Sequence, residues 1–171
     1  MKASYKSINW VFGDQLNSNH SWFKDHDTSR LFIIAELPQE TSYCNHHIQK
    51  VAAFFAAMKN FADSLQESGH EVLHLTLDET NDFKDFHELI QYMLEQFSAK
   101  FFCYQRPDEY RLLNQLRSLN FADYIEVKEF DTEHFLFPFD QIERDFVSKK
   151  SHRMESFYRR MRRGFNILMD E

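Results

Sequence analysis

Short apolar runs alternate along the chain with longer amphipathic stretches. The first two runs are short and continuous, which is typical of strands that are buried on both faces of a sheet. Gly13 ends the first run and Glu36 ends the second. The pattern predicts five strands, at residues 8–12, 31–35, 71–76, 100–104 and 124–127.

Apolar residues at three- and four-residue steps predict the helices between these strands. The clearest stripe consists of Val51, Phe54, Phe55, Met58, Phe61, Ala62 and Leu65. We expect Thr41 or Ser42 to cap the start of this helix and Gly69 to follow its end. Further helices are predicted at residues 83–97, 110–119, 141–146 and 153–163.

The alternation of strands and helices predicts the fold class. It indicates an α/β, Rossmann-like doubly wound fold with a mainly parallel five-stranded sheet and helices on both faces. After about residue 130 the alternation stops and an aromatic segment, Phe135–Phe139, begins. We therefore predict an α/β domain over residues 1–135 and a separate helical segment over residues 136–171.

The composition agrees with long regular elements and a well-filled core. Of 171 residues, 19 are Phe and 16% are aromatic, whereas Gly and Pro number three each. Cys44 and Cys103 are too few for a disulfide framework or for the four thiolates of a usual iron–sulfur cluster, and fit a reducing compartment. No signal-peptide core and no run of eighteen apolar residues is present, so we predict a cytoplasmic protein without membrane contact.

The charge is distributed unevenly. Residues 1–148 carry 13 Lys and Arg against 24 Asp and Glu, a net charge of −11, whereas residues 149–171 carry 7 against 3, a net charge of +4. The larger part of the chain would therefore repel nucleic acid. Residues 149–163 hold seven basic side chains beside an apolar face, as expected of a helix that binds nucleic acid, docks on a partner or packs within a longer protein.

Polar residues at the ends of the first two strands predict a ligand site. Ligands bind beyond the carboxyl ends of parallel strands, where the strand order reverses. Gly13 permits a tight turn and a close approach to the backbone. Asp14, Gln15 and Glu36 add acceptors and an amide, and Lys50 lies within reach on the long helix. These five residues suit a small flat heterocycle or a ribose-like polyol; the alternative is that Asp14 caps a turn and Glu36 is a solvated strand end.

No motif in the chain specifies a reaction. The first strand is followed by no Gly-rich phosphate loop and no P-loop lysine, so a dinucleotide held by its pyrophosphate is not expected. His46 and His47 are adjacent, point about 100° apart on a helix and make a poor metal pair. Cys103 lies in an apolar strand and is expected in the core. We predict a site that binds a ligand without transforming it, with no catalytic residue and no metal.

Six segments match one known family in their order and spacing. They are Val11-Phe12-Gly13-Asp14-Gln15-Leu16, the strand end at residues 35–40, His46-His47-x-x-Lys50 continuing to Met58, residues 107–111, His134-Phe135-Leu136, and residues 153–162. Together they resemble the amino-terminal part of the bacterial deoxyribodipyrimidine photolyase-related proteins, which are iron–sulfur cryptochromes and (6-4) photolyases. The resemblance covers nearly the whole chain.

The resemblance implies a function and its cofactors. Members of the family are longer DNA-repair or photoreceptor flavoproteins whose amino-terminal domain carries an antenna, 6,7-dimethyl-8-ribityllumazine in characterised relatives. It places this antenna at Gly13, Asp14, Gln15, Glu36 and Lys50. It places FAD, a 4Fe-4S cluster and the DNA lesion on a later helical domain, against which residues 149–163 would dock. We expect this chain alone to be non-catalytic and to reach DNA only through the full-length protein.

Two other functions remain open from the sequence. The chain could be a free-standing α/β protein that binds a small ligand or a nucleotide. It could also be an interaction module that uses its basic helix near the carboxyl end.

Overall fold

Five parallel strands form a single sheet in the computed structural model, which describes residues 3–148 and 150–169. All five predicted strands are confirmed, each with small shifts at its ends. Their bounds are β1 (Ser7–Val11), β2 (Arg30–Ala35), β3 (Val72–Leu75), β4 (Phe101–Gln105) and β5 (Glu126–Phe130).

The strands stand in the order β3-β2-β1-β4-β5, so the direction of winding reverses between β1 and β4. In register, Trp10 of β1 pairs with Ile33 of β2 on one side and with Tyr104 of β4 on the other. This order confirms the predicted α/β doubly wound, Rossmann-like fold. It also locates the ligand crevice of such folds beside the carboxyl ends of β1 and β4.

Seven α-helices and one 3₁₀ turn are present in the described part of the chain. The helices are α1 (Pro38–Ser42), α2 (Ile48–Glu67), α3 (Leu77–Thr80), α4 (Phe86–Gln96), α5 (Tyr110–Arg117), α6 (Phe139–Asp145) and α7 (Met154–Phe165), and the 3₁₀ turn is Ser21–Phe23. The sequence pattern missed α1, α3 and the 3₁₀ turn, which are too short to show periodicity. Among the described residues, no helix is both long and apolar enough to span a bilayer.

Helices cover both faces of the sheet because alternate strand residues point to opposite sides. On one face, Trp10 and Phe102 pack against the apolar stripes of α4 and α5. On the other face, Val11 and Phe32 pack against Met58 and the rest of the α2 stripe. The side chains at both helix–sheet interfaces are almost completely buried. The sheet is therefore a rigid base for whatever lies at its strand ends.

The start of α2 differs from the sequence prediction. Thr41 and Ser42 do not cap this helix, because both belong to the separate helix α1 and hydrogen-bond the Pro38 carbonyl. His47 is the cap instead, since its Nδ1 accepts from the Gln49 N–H at 3.2 Å. The predicted end is confirmed: Gly69 follows the helix with a φ of 91°, a conformation that glycine adopts without strain.

The chain divides into two compact units, the first ending at Thr132 and the second beginning at Glu133. Within the second unit, the rings of Phe137, Phe146 and Phe157 pack on one another, with centroids 5.2–5.9 Å apart. Lys149 of the predicted basic segment lies outside the described residues. The predicted functional division at residues 135 and 136, with the later part leading to a flavin domain, stays a prediction.

Candidate functional site

A cavity of about 240 Å³ lies at the carboxyl end of β1, on the side where the strand order reverses. Its floor is the segment that follows β1, and its walls come from α1, the first turns of α2 and the segment that follows β4. The lining residues are Phe12, Gly13, Asp14, Glu40, Thr41, Tyr43, His46, Lys50, Val51, Phe54, Phe55, Glu109 and Leu112. This is where ligands bind in open α/β sheets.

Gly13 and Asp14 lie in the lining, within a tight turn closed by the Gln15 N–H donating to the Phe12 carbonyl at 2.9 Å. A Cβ at Gly13 would overlap the Phe54 ring and come 2.8 Å from the Met58 sulfur. The close neighbour that requires a glycine here is therefore helix α2. Asp14 is exposed and directs a carboxylate to the cavity edge.

Lys50 also lies in the lining, on the first turn of α2. Its ammonium nitrogen is 3.2 Å from Nδ1 of His46, whose ring is half-buried. The other ring nitrogen of His46, Nε2, is 3.3 Å from the Cys44 sulfur. Lys50 donates to His46, and the two side chains are thus held together on one wall.

Gln15 is placed differently from the other residues of its turn, because its side chain is buried rather than directed into the cavity. Its Nε2 donates to the Gln105 carbonyl at 3.1 Å, and its Oε1 accepts from the Phe12 N–H at 3.2 Å. The amide therefore ties the end of β1 to the end of β4. This bond holds the crevice together at the point where strand order reverses.

Glu36 follows β2 and is only 9% exposed. One carboxylate oxygen accepts from the Leu77 N–H at 2.9 Å, at the start of α3, and the other lies 3.5 Å from His74 Nε2. Its carbonyl accepts from the Thr80 hydroxyl. The structure therefore brings Gly13, Asp14 and Lys50 together around the cavity, and places Gln15 and Glu36 outside its lining.

Among the lining residues that sequence reasoning did not assign to the site, Glu40, Glu109 and Tyr43 form one network. Arg111 joins them, because it donates to Glu109 at 2.8 Å, lies 3.3 Å from Glu40 and covers the Tyr43 ring at 4.9 Å. The hydrogen bond to Glu109 is the main reason that the pKa of Arg111 is raised. The available signal was position, since Glu40 and Glu109 each follow a strand end by a few residues.

The cavity combines apolar walls with an acidic edge. Three carboxylates line it, those of Asp14, Glu40 and Glu109. Partial desolvation raises the pKa of the Tyr43 phenol, and the neighbouring Cys44, Glu109 and Glu40 raise it further. Such a site can accept hydrogen bonds from N–H and O–H groups and favours ligands that carry no negative charge.

The two cysteines lie in different surroundings. Burial raises the pKa of the Cys103 thiol to about 11, which confirms its place in the core. Cys44 is exposed on the segment before α2. Within the described ranges, no three His, Cys, Asp or Glu side chains converge as a metal site.

The strand order and the cavity at its reversal define a doubly wound α/β domain with a cleft at its switch point. The chain belongs to the deoxyribodipyrimidine photo-lyase-related protein family, whose model matches residues 9–171. It is 27% identical over 161 residues to a "(6-4) photolyase" from Agrobacterium fabrum (strain C58 / ATCC 33970), a match that covers 94% of this chain. The chain spans 32% of the length of that relative.

Proposed function

We propose that this chain is the antenna-binding domain of a photolyase- or cryptochrome-related flavoprotein that repairs DNA in light or senses blue light. In this proposal, 6,7-dimethyl-8-ribityllumazine binds in the cavity at the end of β1. The observation that carries it is the lining itself, which joins aromatic and apolar walls to an acidic edge at the ligand-binding point of the fold.

The chemistry of the lumazine fits the residues present. Its flat ring system would lie against Phe54, which is 38% exposed, and against the part of the 54% exposed Tyr43 that Arg111 does not cover. Asp14 and Glu40 would accept from the ribityl hydroxyls, while Lys50 would donate to a ring carbonyl. A cavity of about 240 Å³ encloses the ring system and leaves the ribityl chain towards its mouth.

The five predicted site residues have two different roles in this proposal. Gly13, Asp14 and Lys50 border the antenna directly. Gln15 and Glu36 act at a distance, since their buried hydrogen bonds fix the strand ends. An antenna needs a rigid pocket that sets distance and angle, and it needs no catalytic group.

FAD and a 4Fe-4S cluster would belong to the remaining part of the full-length protein. The residues of this chain do not suit a cluster, because Cys103 is inside the sheet and Cys44 is at the surface. The repair or signalling reaction is accordingly assigned to the longer protein. In this proposal, DNA is bound by the full-length protein and not by this chain alone through its antenna domain.

Nucleotide binding in the same cavity is the competing function. The carboxylates count against it, because a phosphate beside Asp14 would face a like charge, and Glu40 and Glu109 already pair with the nearby cation, Arg111. A pair of ligands that differ only in a phosphate separates the two functions. We expect riboflavin to bind at least as well as riboflavin 5′-phosphate.

The main test is a fluorescence titration of the 171-residue chain with 6,7-dimethyl-8-ribityllumazine. We expect saturable binding, and about tenfold weaker binding in Asp14→Asn and in Glu40→Gln, because each loses a hydrogen bond to a charged acceptor. Glu79→Gln is the matched control, since this exposed carboxylate caps α3 and lies outside the lining.

The proposal has a clear contrary outcome. If the ligand at millimolar concentration changes neither the fluorescence nor the melting temperature of the chain, the cavity does not hold the antenna. Tighter binding of riboflavin 5′-phosphate than of riboflavin would favour the nucleotide function instead.

A further inference from the structure

A second cavity, of about 520 Å³, lies in the unit that begins at Glu133. It is formed between the end of α6, residues 151–153 and α7, and all its lining residues belong to this unit. Its character is opposite to that of the first cavity, because guanidinium groups replace carboxylates along the wall. Arg153, Arg160 and Arg163 all line it, with the imidazole of His152 beside them.

Arg160 is held in a fixed position by its surroundings. Its guanidinium lies 5.7 Å from the centre of the Phe137 ring and 5.5 Å from that of Phe157. It also lies 3.0 Å from the carboxylate of Asp145. A guanidinium that is already ordered loses little freedom when it binds an anion, which favours binding.

The other cationic groups approach from the same helix. Arg163 stands almost one turn after Arg160 on α7, and its Nε donates to the Arg159 carbonyl at 3.3 Å. Arg153 is the residue that precedes the first turn of α7, where the positive end of the helix dipole lies. The imidazole Nε2 of His152 donates to the Val147 carbonyl at 3.1 Å, which fixes the ring.

The remaining polar lining matches an oxyanion. Ser151 and Ser156 add two hydroxyl donors. Asp145 is the single carboxylate among the described lining residues, so three guanidiniums face one negative charge. Guanidiniums and hydroxyls together are the donors that proteins use for phosphate, because the guanidinium fork binds two phosphate oxygens at once.

We propose that this cavity binds a phosphate group. Arg153 and Arg163 contact the phosphate oxygens, Arg160 supplies a positioned charge from the wall, and the serine hydroxyls complete the donors. The phosphate belongs either to the backbone of DNA or to a small phosphorylated molecule. The site is independent of the antenna proposal, since it shares no residue with the cavity at the end of β1.

The test uses the 171-residue chain and two probes. One is a fluorescent 20-base-pair DNA duplex followed by anisotropy over a range of salt concentrations, and the other is inorganic pyrophosphate followed by calorimetry. In the double variant Arg153→Gln and Arg163→Gln, we expect whichever probe the unchanged chain binds to bind at least about tenfold more weakly. If DNA is the source, the slope of log K against log salt also falls by about two.

Two matched controls separate the cavity from general charge. Arg144→Gln removes a positive charge from the same unit at an exposed position outside the lining, and is expected to change binding by less than about twofold. Asp145→Asn and Asp140→Asn remove one carboxylate each from α6. Only Asp145→Asn is expected to strengthen binding, by about threefold to fivefold, because only Asp145 borders the anion and the Phe137 and Phe157 rings still position Arg160.

The outcomes distinguish the sources and can overturn the proposal. Binding of both probes, with duplex displaced by pyrophosphate, supports a DNA phosphate, and binding of pyrophosphate alone supports a small phosphorylated ligand. Binding of neither probe overturns the site. Equal weakening by Arg144→Gln, or displacement by polyglutamate as efficient as by pyrophosphate, overturns it in favour of non-specific charge or an acidic protein surface.

Discussion

Asp14 and Glu36 are the same kind of residue in the same kind of position, yet the fold uses them differently. Each is an acidic residue just beyond the carboxyl end of a buried strand, and the two strands, β1 and β2, are neighbours. Asp14 is exposed and borders a cavity, whereas Glu36 is 9% exposed and holds the start of α3. A position at the end of a strand is therefore not enough to place an acidic side chain in a ligand site.

The difference arises from what lies next to each strand. β1 stands where the strand order reverses, so the helices that follow its neighbours diverge and leave a crevice. β2 stands between β1 and β3, and the helix that follows β3 closes over its end. The Leu77 N–H then finds its partner in the Glu36 carboxylate. Four substitutions test this division of roles.

The largest loss of stability is expected for Glu36→Ala. It leaves the Leu77 N–H without its acceptor in a nearly closed space and removes the carboxylate 3.5 Å from His74 Nε2, at a cost of about 3 kcal/mol in the free energy of unfolding. Urea unfolding followed by circular dichroism measures it. A loss below about 0.5 kcal/mol would mean that Glu36 is a solvated strand end after all.

Gln15→Leu is expected to be the next most damaging change. It keeps the side-chain volume but removes the bonds to the Gln105 carbonyl and the Phe12 N–H, which costs about 2 kcal/mol. Lumazine titration of the folded variant provides a second readout. If Gln15 ties the two strand ends, binding weakens together with stability, and unchanged stability would contradict this role.

Gly13→Ala should cost about 1.5 kcal/mol, because the added methyl group overlaps Phe54 and Met58 and the helix must shift slightly. Gly164→Ala is the matched control, since nothing lies within 4 Å of a Cβ at that position. In α7 the same change should raise stability by about 0.5–1 kcal/mol. Equal effects at the two glycines would refute close packing at Gly13.

Asp14→Asn is expected to change stability least, by less than about 0.5 kcal/mol, because the side chain is exposed and keeps its size. Its effect should appear in ligand binding, where the charged acceptor is lost. Melting temperature and lumazine titration, measured on the same sample, give both quantities. If Asp14→Asn lost stability but retained full affinity for the lumazine, Asp14 would have the structural role that we assign to Glu36.

The hydrophobic pattern was sufficient for the layered fold and insufficient for the short elements. Continuous apolar runs and the Phe54–Leu65 stripe contain enough residues to reveal their period, so the five strands and α2 were recoverable. Helix α1 has five residues and α3 has four, and neither has a period to detect. That is why Thr41 and Ser42 were assigned to the wrong helix start.

The candidate site was recoverable in part for a similar reason. Gly13 and Asp14 follow a strand that the pattern identifies, and Lys50 lies on the predicted long helix. Glu40 and Glu109 are 69 positions apart in the chain and meet through Arg111. No local pattern reports such a contact, because it depends on the side-by-side position of elements that are distant in sequence.

The amino-acid sequence by itself determined the α/β layering, the five strands, the acidic excess of residues 1–148, the basic excess of residues 149–171 and the family. Each of these follows from local residue types and their spacing, which do not depend on contacts between distant parts of the chain. Only the tertiary structure decided which polar residues border a cavity and which are buried and hydrogen-bonded within the protein. That choice depends on strand order and on the helix that covers each strand end, and both arise from packing between distant parts of the chain.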